Sequence, residues 1–225
     1  MRHRIVLVHA VRVAMDPIAA AFARGWPEAE TVNLLDDGLS RDLERRGTLE
    51  GPMTERIGAL AAYASGLGAD GILYTCSAFG SAIEKARAAS RIPVLKPNEA
   101  MLEAALAAGR RIALVATFAP TIPSMIGELE ALARDRGVAM TLTPLFVPGA
   151  MQALRAGDAA AHDAAIAQCV ARISGVDVVM LAQFSMAAAQ VAAQAMTVAR
   201  VLTSPDCAVQ AMRAAFDQPA LETPA

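Results

Sequence analysis

The chain has 225 residues, 20 basic and 22 acidic side chains and a net charge of −2, so it lacks the basic patch that nucleic acid or an anionic membrane demands of a main partner. It is 55% hydrophobic with only 4% aromatic residues, enough to bury a large core whose apolar excess is mostly alanine, a helix former. Mean hydropathy is +0.40, yet charges or prolines interrupt every apolar run well short of a membrane span.

The N-terminus, MRHRIVLVHAVRVAMDP, imitates a signal peptide with its basic residues and short apolar stretch. Arg12 and Asp16 break that stretch, so IVLVHA (5–10) reads as a buried first strand with His9 at its end. Asp16-Pro17 reads as a helix N-cap with proline at the first helical position. TVNLL (31–35) is the second strand. Asp36-Asp37-Gly38-Leu39-Ser40 then opens a polar loop reaching Pro52, long enough for a lid or a subunit contact. A helix over 52–66 leads into GILYT (71–75), then Cys76-Ser77-Ala78, then a helix over 80–90. PVLK (93–96) brings Lys96 to a strand end, where it neutralises an acidic substrate or snorkels to solvent.

A helix over 97–108 precedes RIALVAT (111–117), which ends at Thr117, and Thr121 opens a helix over 121–136. MTLTPLF (140–146), a helix over 158–174, DVVMLA (177–182), ARVLT (199–203) and a last helix over 204–216 complete the chain. Short continuous apolar strands separated by helices indicate parallel sheets covered on both faces. Three cysteines without a CxxC pair argue against a disulfide framework or a zinc site. Cys169, mid-helix among Ala and Val, and Cys207, opening the last helix, read as packing residues. A cytoplasmic protein with free thiols is the expectation.

The chain also repeats itself. A shift of 107 positions lays RIVLV (4–8) on RIALV (111–115), GADGILYTC (68–76) on GVDVVMLAQ (175–183), and PVLKP (93–97) on RVLTS (200–204). Arg4, Gly68, Asp70, Val94 and Leu95 meet identical residues at 111, 175, 177, 201 and 202. Constant spacing over three strands predicts an α/β fold of two pseudo-symmetric lobes, each a four-stranded parallel sheet flanked by helices, with an active-site cleft between them. The lobes span 1–97 and 98–204, and the C-terminal segment 204–225 is available to complete the first. Ligands of open parallel sheets bind beyond the carboxyl ends of the strands. The candidate site residues are therefore His9, Cys76, Ser77 and Ala78 in the first lobe, with Thr117, Thr121, Gln183 and Ser185 in the second.

Cys76 is the leading candidate for chemistry. A thiol where a strand gives way to a helix meets backbone N–H groups and the positive helix end, which would hold its pKa below the free value of roughly 8.5. Cys76 is thus expected to be the one depressed thiol of the three. The opposite reading is a buried, inert cysteine, and the local segment alone leaves both open. Ser185 and Gln183 mirror Ala78 and Cys76, and their polar side chains suit a carboxylate. Thr117 and Thr121 suit a carboxylate or a helix cap. His9 either orients substrate and assists Cys76, or is a satisfied core histidine.

Motifs of cofactor sites are missing: no GxGxxG after a strand, no GxxxxGK[ST] and no HExxH, and three scattered histidines make no metal set. The opening VLVHA…DP, the TCSA turn, KPNEAM (96–101), VPGAMQALRAGD (147–158) and LAQFSMA (181–187) occur in order with the internal repeat. Together they make the whole chain resemble the aspartate/glutamate/hydantoin racemase superfamily, which also holds maleate isomerases and arylmalonate decarboxylases.

The resemblance implies cofactor-independent chemistry on a small carboxylate or amino-acid-like substrate, in a homodimer or higher homo-oligomer. Racemases of the superfamily carry one cysteine per lobe, on opposite faces of the substrate's α-carbon. Here the second position is Gln183, an amide that is no general acid–base. The superfamily's decarboxylases use a single cysteine as proton donor, though in the second lobe. Three readings follow: a racemase- or isomerase-type enzyme with Cys76 as base or nucleophile, a decarboxylase with Cys76 as proton donor, and a small-molecule sensor that kept the site without catalysis.

Overall fold

Eight strands, all paired in parallel, form two four-stranded sheets in the computed structural model, which describes residues 2–217 apart from 48, 50 and 120. Residues 218–225, part of the segment expected to complete the first lobe, lie outside the described residues. The chain divides into two units: residues up to Pro97 together with those from Ala208 on, and Asn98–Cys207.

The first unit contains β1 (Arg4–His9), α1 (Met15–Gly25), β2 (Glu30–Leu35), α2 (Leu39–Arg46), α3 (Pro52–Gly66), β3 (Gly71–Tyr74), α4 (Gly80–Ala88) and β4 (Val94–Leu95). Its sheet runs in the order β2-β1-β3-β4. Ile5 to Val8 and Ile72 to Tyr74 are buried, as the continuous apolar runs of interior strands require.

The second unit contains α5 (Glu99–Ala108), β5 (Arg111–Ala116), α6 (Thr121–Asp135), β6 (Thr141–Phe146), α7 (Ala150–Arg155), α8 (Ala159–Ala171), β7 (Val178–Leu181), α9 (Gln190–Gln194) and β8 (Arg200–Thr203). The order β6-β5-β7-β8 repeats the first sheet. Its edge strand β6 tolerates Pro144, whose missing N–H costs a central strand a bond but an edge strand none.

The repeat in sequence is a repeat in bonding. Asp70 accepts the Arg4 N–H at 2.8 Å and returns its own N–H to the Arg4 carbonyl at 2.8 Å. Asp177 exchanges the same two bonds with Arg111 at 2.9 and 2.7 Å. The identical glycines Gly68 and Gly175 turn into these clasps with φ of 74° and 70°, left-handed values that glycine adopts without the steric cost of a side chain. The Arg111 side chain and the Arg110 and Arg111 N–H groups hold the Asp177 carboxyl well below the usual carboxylate range.

The last helix, α10 (Ser204–Asp217), starts in the second unit and from Ala208 belongs to the first. There the Phe216 ring stacks on His3 at 4.3 Å between centroids, and Met212 lies where a side chain on Gly71 would stand.

Four helical details depart from expectation, two of them being α7 and α9, which lie where no helix was read. The segment read as a polar loop folds at 39–46 into α2, because Leu39 and Leu43, four apart, both pack on the first core. Arg56 of α3 fastens this corner, bonding Asp42 at 2.6 Å and both carboxylate oxygens of Asp36. Asp16 is not an N-cap: a 3-10 turn at Arg12–Ala14 runs into α1, so the helix begins at Met15 and Asp16 falls within its first turn. No helix among the described residues is long and apolar enough to cross a membrane.

Candidate active site

In a sheet ordered 2-1-3-4 the chain leaves the first strand to one side and returns on the other, opening a crevice at the carboxyl ends of the two middle strands. In the first unit these are the ends of β1 and β3, in the second those of β5 and β7. The turns after β3 and β7 correspond closely. Cys76 leaves the sheet extended at φ −128°, ψ 121° and enters a 3-10 turn, Ser77–Phe79. Gln183 leaves at φ −116°, ψ 150° and enters a 3-10 turn, Phe184–Ala189. Thr75 N–H bonds the Val8 carbonyl at 3.0 Å, and Ala182 N–H bonds Val115 at 2.9 Å, 107 positions on.

Cys76 is partly buried against the first core. Burial pushes its thiol above the ordinary value, and the Ala78 N–H opposes that only in part. The expected depressed pKa is therefore corrected. Burial is the physical reason, and the helix expected to oppose it starts only at Gly80, after a three-residue 3-10 turn, so Cys76 lies outside that helix's first turn, where the dipole acts most strongly. Burial likewise raises Cys169, and raises Cys207 to about 11 with the Asp206 carboxylate adding to it.

His9 has no exposed surface, and its Nδ1 and Nε2 lie 2.9 Å from Thr75 Oγ1 and 2.8 Å from Asn33 Oδ1. Burial lowers its pKa, which fixes a neutral ring at pH 7. In that state Nε2–H donates to Asn33 and Nδ1 accepts from the Thr75 hydroxyl. His9 thus ties the end of β1 to Asn33 of β2 and to Thr75 after β3. Asn33 and Thr75 are the partners that the sequence reading did not assign, although an asparagine within TVNLL was a visible anomaly. Ser77 is partly buried and Ala78 exposed on the turn. Lys96 is matched inside the protein, its Nζ 2.6 Å from Glu84.

In the second unit, Thr117 is buried and donates twice to Gln183 Oε1, from its N–H at 3.0 Å and its hydroxyl at 3.2 Å. Gln183 Nε2 is buried without a partner among the described residues. Ser185, partly buried, sits two residues along the same turn. Thr121 opens α6, its N–H on the Phe118 carbonyl at 3.1 Å. The structure thus brings Thr117 and Gln183 together and leaves Thr121 as a helix start. Among the described residues no group of three His, Cys, Asp or Glu side chains is arranged to hold a metal ion. An open groove between α3 and α4, lined by Ala61, Ala82, Lys85 and Ala86 among others, includes none of these strand-end residues.

Two like-ordered parallel sheets, each with a polar turn at its switch point, define the two-lobe α/β class of the amino-acid racemases. The Asp/Glu/hydantoin racemase family matches residues 41–212, and the chain belongs to that family. Among solved structures, an aspartate racemase homologue from Pyrococcus horikoshii superposes with a TM-score of 0.72 at 11% identity, over 97% of this chain and 100% of that one. Allantoin racemase from Klebsiella pneumoniae gives 0.68 at 19% identity, over 96% and 88%. Glutamate racemase RacE1 from Bacillus anthracis gives 0.67 at 14%, over 96% and 82%. At these identities the likeness is one of fold. No curated protein matches the sequence.

Proposed function

We propose that this protein is a cofactor-independent racemase- or isomerase-type enzyme acting on a small carboxylic or amino-acid-like substrate, with Cys76 as its acid–base or nucleophilic group. The observation that carries this reading is the placement of Cys76. It alone of the three cysteines follows a strand's carboxyl end at a topological switch point, partly exposed and with the Ala78 N–H directed to its sulfur. Gln183 replaces the second thiol, so the chemistry is that of one titratable group.

A second reading is favoured by the raised Cys76 pKa. A thiol that stays protonated at neutral pH is ready to give a proton and must lose one before it can take one. That is the state a cofactor-free decarboxylase needs, with Cys76 protonating the carbanion left by loss of CO₂.

Incubation in D₂O with a panel of carboxylic and amino acids separates these readings. Deuterium entering the α-position supports the isomerase type, and CO₂ release supports the decarboxylase. Binding with neither leaves a carrier or sensor. Cys76→Ala must abolish whichever reaction is seen; full turnover in that variant removes the proposal.

A further inference from the structure

The Thr117–Gln183 pair fixes the direction of one amide. Both Thr117 groups that meet Gln183 are assigned as donors, and the backbone N–H can be nothing else, so the atom facing it must be the carbonyl oxygen. The orientation therefore follows from chemistry and does not depend on telling oxygen from nitrogen. With Oε1 taken twice, the two hydrogens of Nε2 are the only bonding capacity that Gln183 has left. Nε2 is removed from solvent and meets no acceptor among the described residues. Buried donors are almost always paired, and an exception asks for an explanation.

We propose that Gln183 Nε2 is a dedicated hydrogen-bond donor to an oxygen of the substrate, a carboxylate or an acyl oxygen, and that Thr117 positions it for that purpose. This rests on the reading of the protein as a carboxylate-handling enzyme and assigns it a specificity. A fully donated Oε1 has no strong site for an ammonium group. Gln183 therefore accepts the acceptor end of a substrate and rejects its amino end. The residue that stands where a racemase of the family has its second thiol becomes a binding group.

The test separates binding from turnover by using Cys76→Ala protein. Its Gln side-chain amides are labelled with ¹⁵N, and Gln183 is assigned by comparison with Gln183→Leu. Malonate, succinate and both enantiomers of aspartate and glutamate are titrated in turn. The expected result is a saturable shift of the Gln183 NH₂ resonances with at least one of these acids. Affinity for that acid should fall by about tenfold or more in Gln183→Leu, as for loss of a hydrogen bond to a charged acceptor. Gln183→Glu, which puts a carboxylate against the ligand's own, should bind still more weakly. Thr117→Val, which keeps the N–H and removes the hydroxyl, should lie between wild type and Gln183→Leu.

Absence of any Gln183 shift across the six acids overturns the inference, and so does equal affinity in Gln183→Leu. A Gln183 shift in Cys76→Ala, with neither exchange nor CO₂ release by wild type on the same acids, keeps the inference and rejects the enzymatic reading on which it was built.

Discussion

His9 Nδ1 and Thr75 Oγ1 lie 2.9 Å apart with the imidazole wholly removed from solvent, so the residue before Cys76 is held by a neutral histidine. Burial lowers the His9 pKa, and the Asn33 bond offsets this in part. The folded state therefore binds fewer protons than the unfolded chain once pH falls below the unperturbed histidine value near 6.5. Stability is complete above that value and is lost progressively as pH drops through it. Urea unfolding of wild type should show this acid step, and His9→Gln should flatten it. His9→Leu, which takes the imidazole from Asn33 Oδ1 and leaves the Thr75 hydroxyl only its 3.4 Å bond to the Val8 carbonyl, should cost about 1–3 kcal/mol at pH 7. Equal pH slopes in wild type and His9→Gln would count against this account.

The strands were legible because each is a short apolar run, and the repeat was legible because its fixed points are structural. Asp70 and Asp177 match at 107 positions since each clasps the backbone of an equivalent arginine. What escaped was set by tertiary context. Only Leu39 and Leu43 of α2 are apolar, a pattern that charges around it disguise as a loop. The direction of the Cys76 pKa depended on how far α4 begins from the sulfur and how many atoms surround it, neither of which spacing reveals. The Gln183 amide was visible as a missing thiol, but its orientation needed the Thr117 contact.

Glycine positions test packing against propensity. A Cβ on Gly109 would stand 2.2 Å from Asp177 Cβ, an atom fixed to the backbone that cannot swing aside. Gly109→Ala should lose about 1–3 kcal/mol, as overpacked substitutions do. Gly127 lies exposed within α6 with nothing near its missing side chain. There Gly127→Ala should gain roughly 0.5–1 kcal/mol from helix propensity alone. Thermal or denaturant unfolding reads both, and the two changes should have opposite sign.

The thiols should make the fold sensitive to alkali. Cys207 is buried and its pKa is raised to about 11 from 9.0. The folded state keeps its proton where the unfolded state has lost it, so stability is intact below pH 9 and declines as pH rises towards 11. At about 1.4 kcal/mol per unit the decline from this one group is roughly 2–3 kcal/mol. Cys207→Ala should remove that share of the alkaline loss, at the cost of a small cavity seen at every pH. Alkylation should be slow for all three cysteines at neutral pH, accelerate with alkali, and reach Cys207 last. Rapid neutral labelling of Cys76 would instead restore the thiolate that its burial argues against.

On the proposed reading, Gln183 decides whether the protein can invert a stereocentre. Inversion needs a proton taken from one face of the carbon and another delivered to the opposite face, and an amide does neither at useful rates. Wild type should therefore exchange the α-proton, where it does so at all, with little or no racemisation. General acid–base catalysis contributes about 10²–10⁴-fold, which sets the scale of what a second thiol can add. Gln183→Cys places that thiol on a turn with the same extended exit as Cys76. It also removes the donor that Thr117 holds in place. Two opposed effects are expected in one variant: racemisation appears on the substrate that wild type merely exchanges, and KM for that substrate rises. Chiral chromatography of product with a parallel KM measurement reads both. Efficient inversion by wild type, undiminished in Gln183→Ala, would show instead that another group already serves the second face.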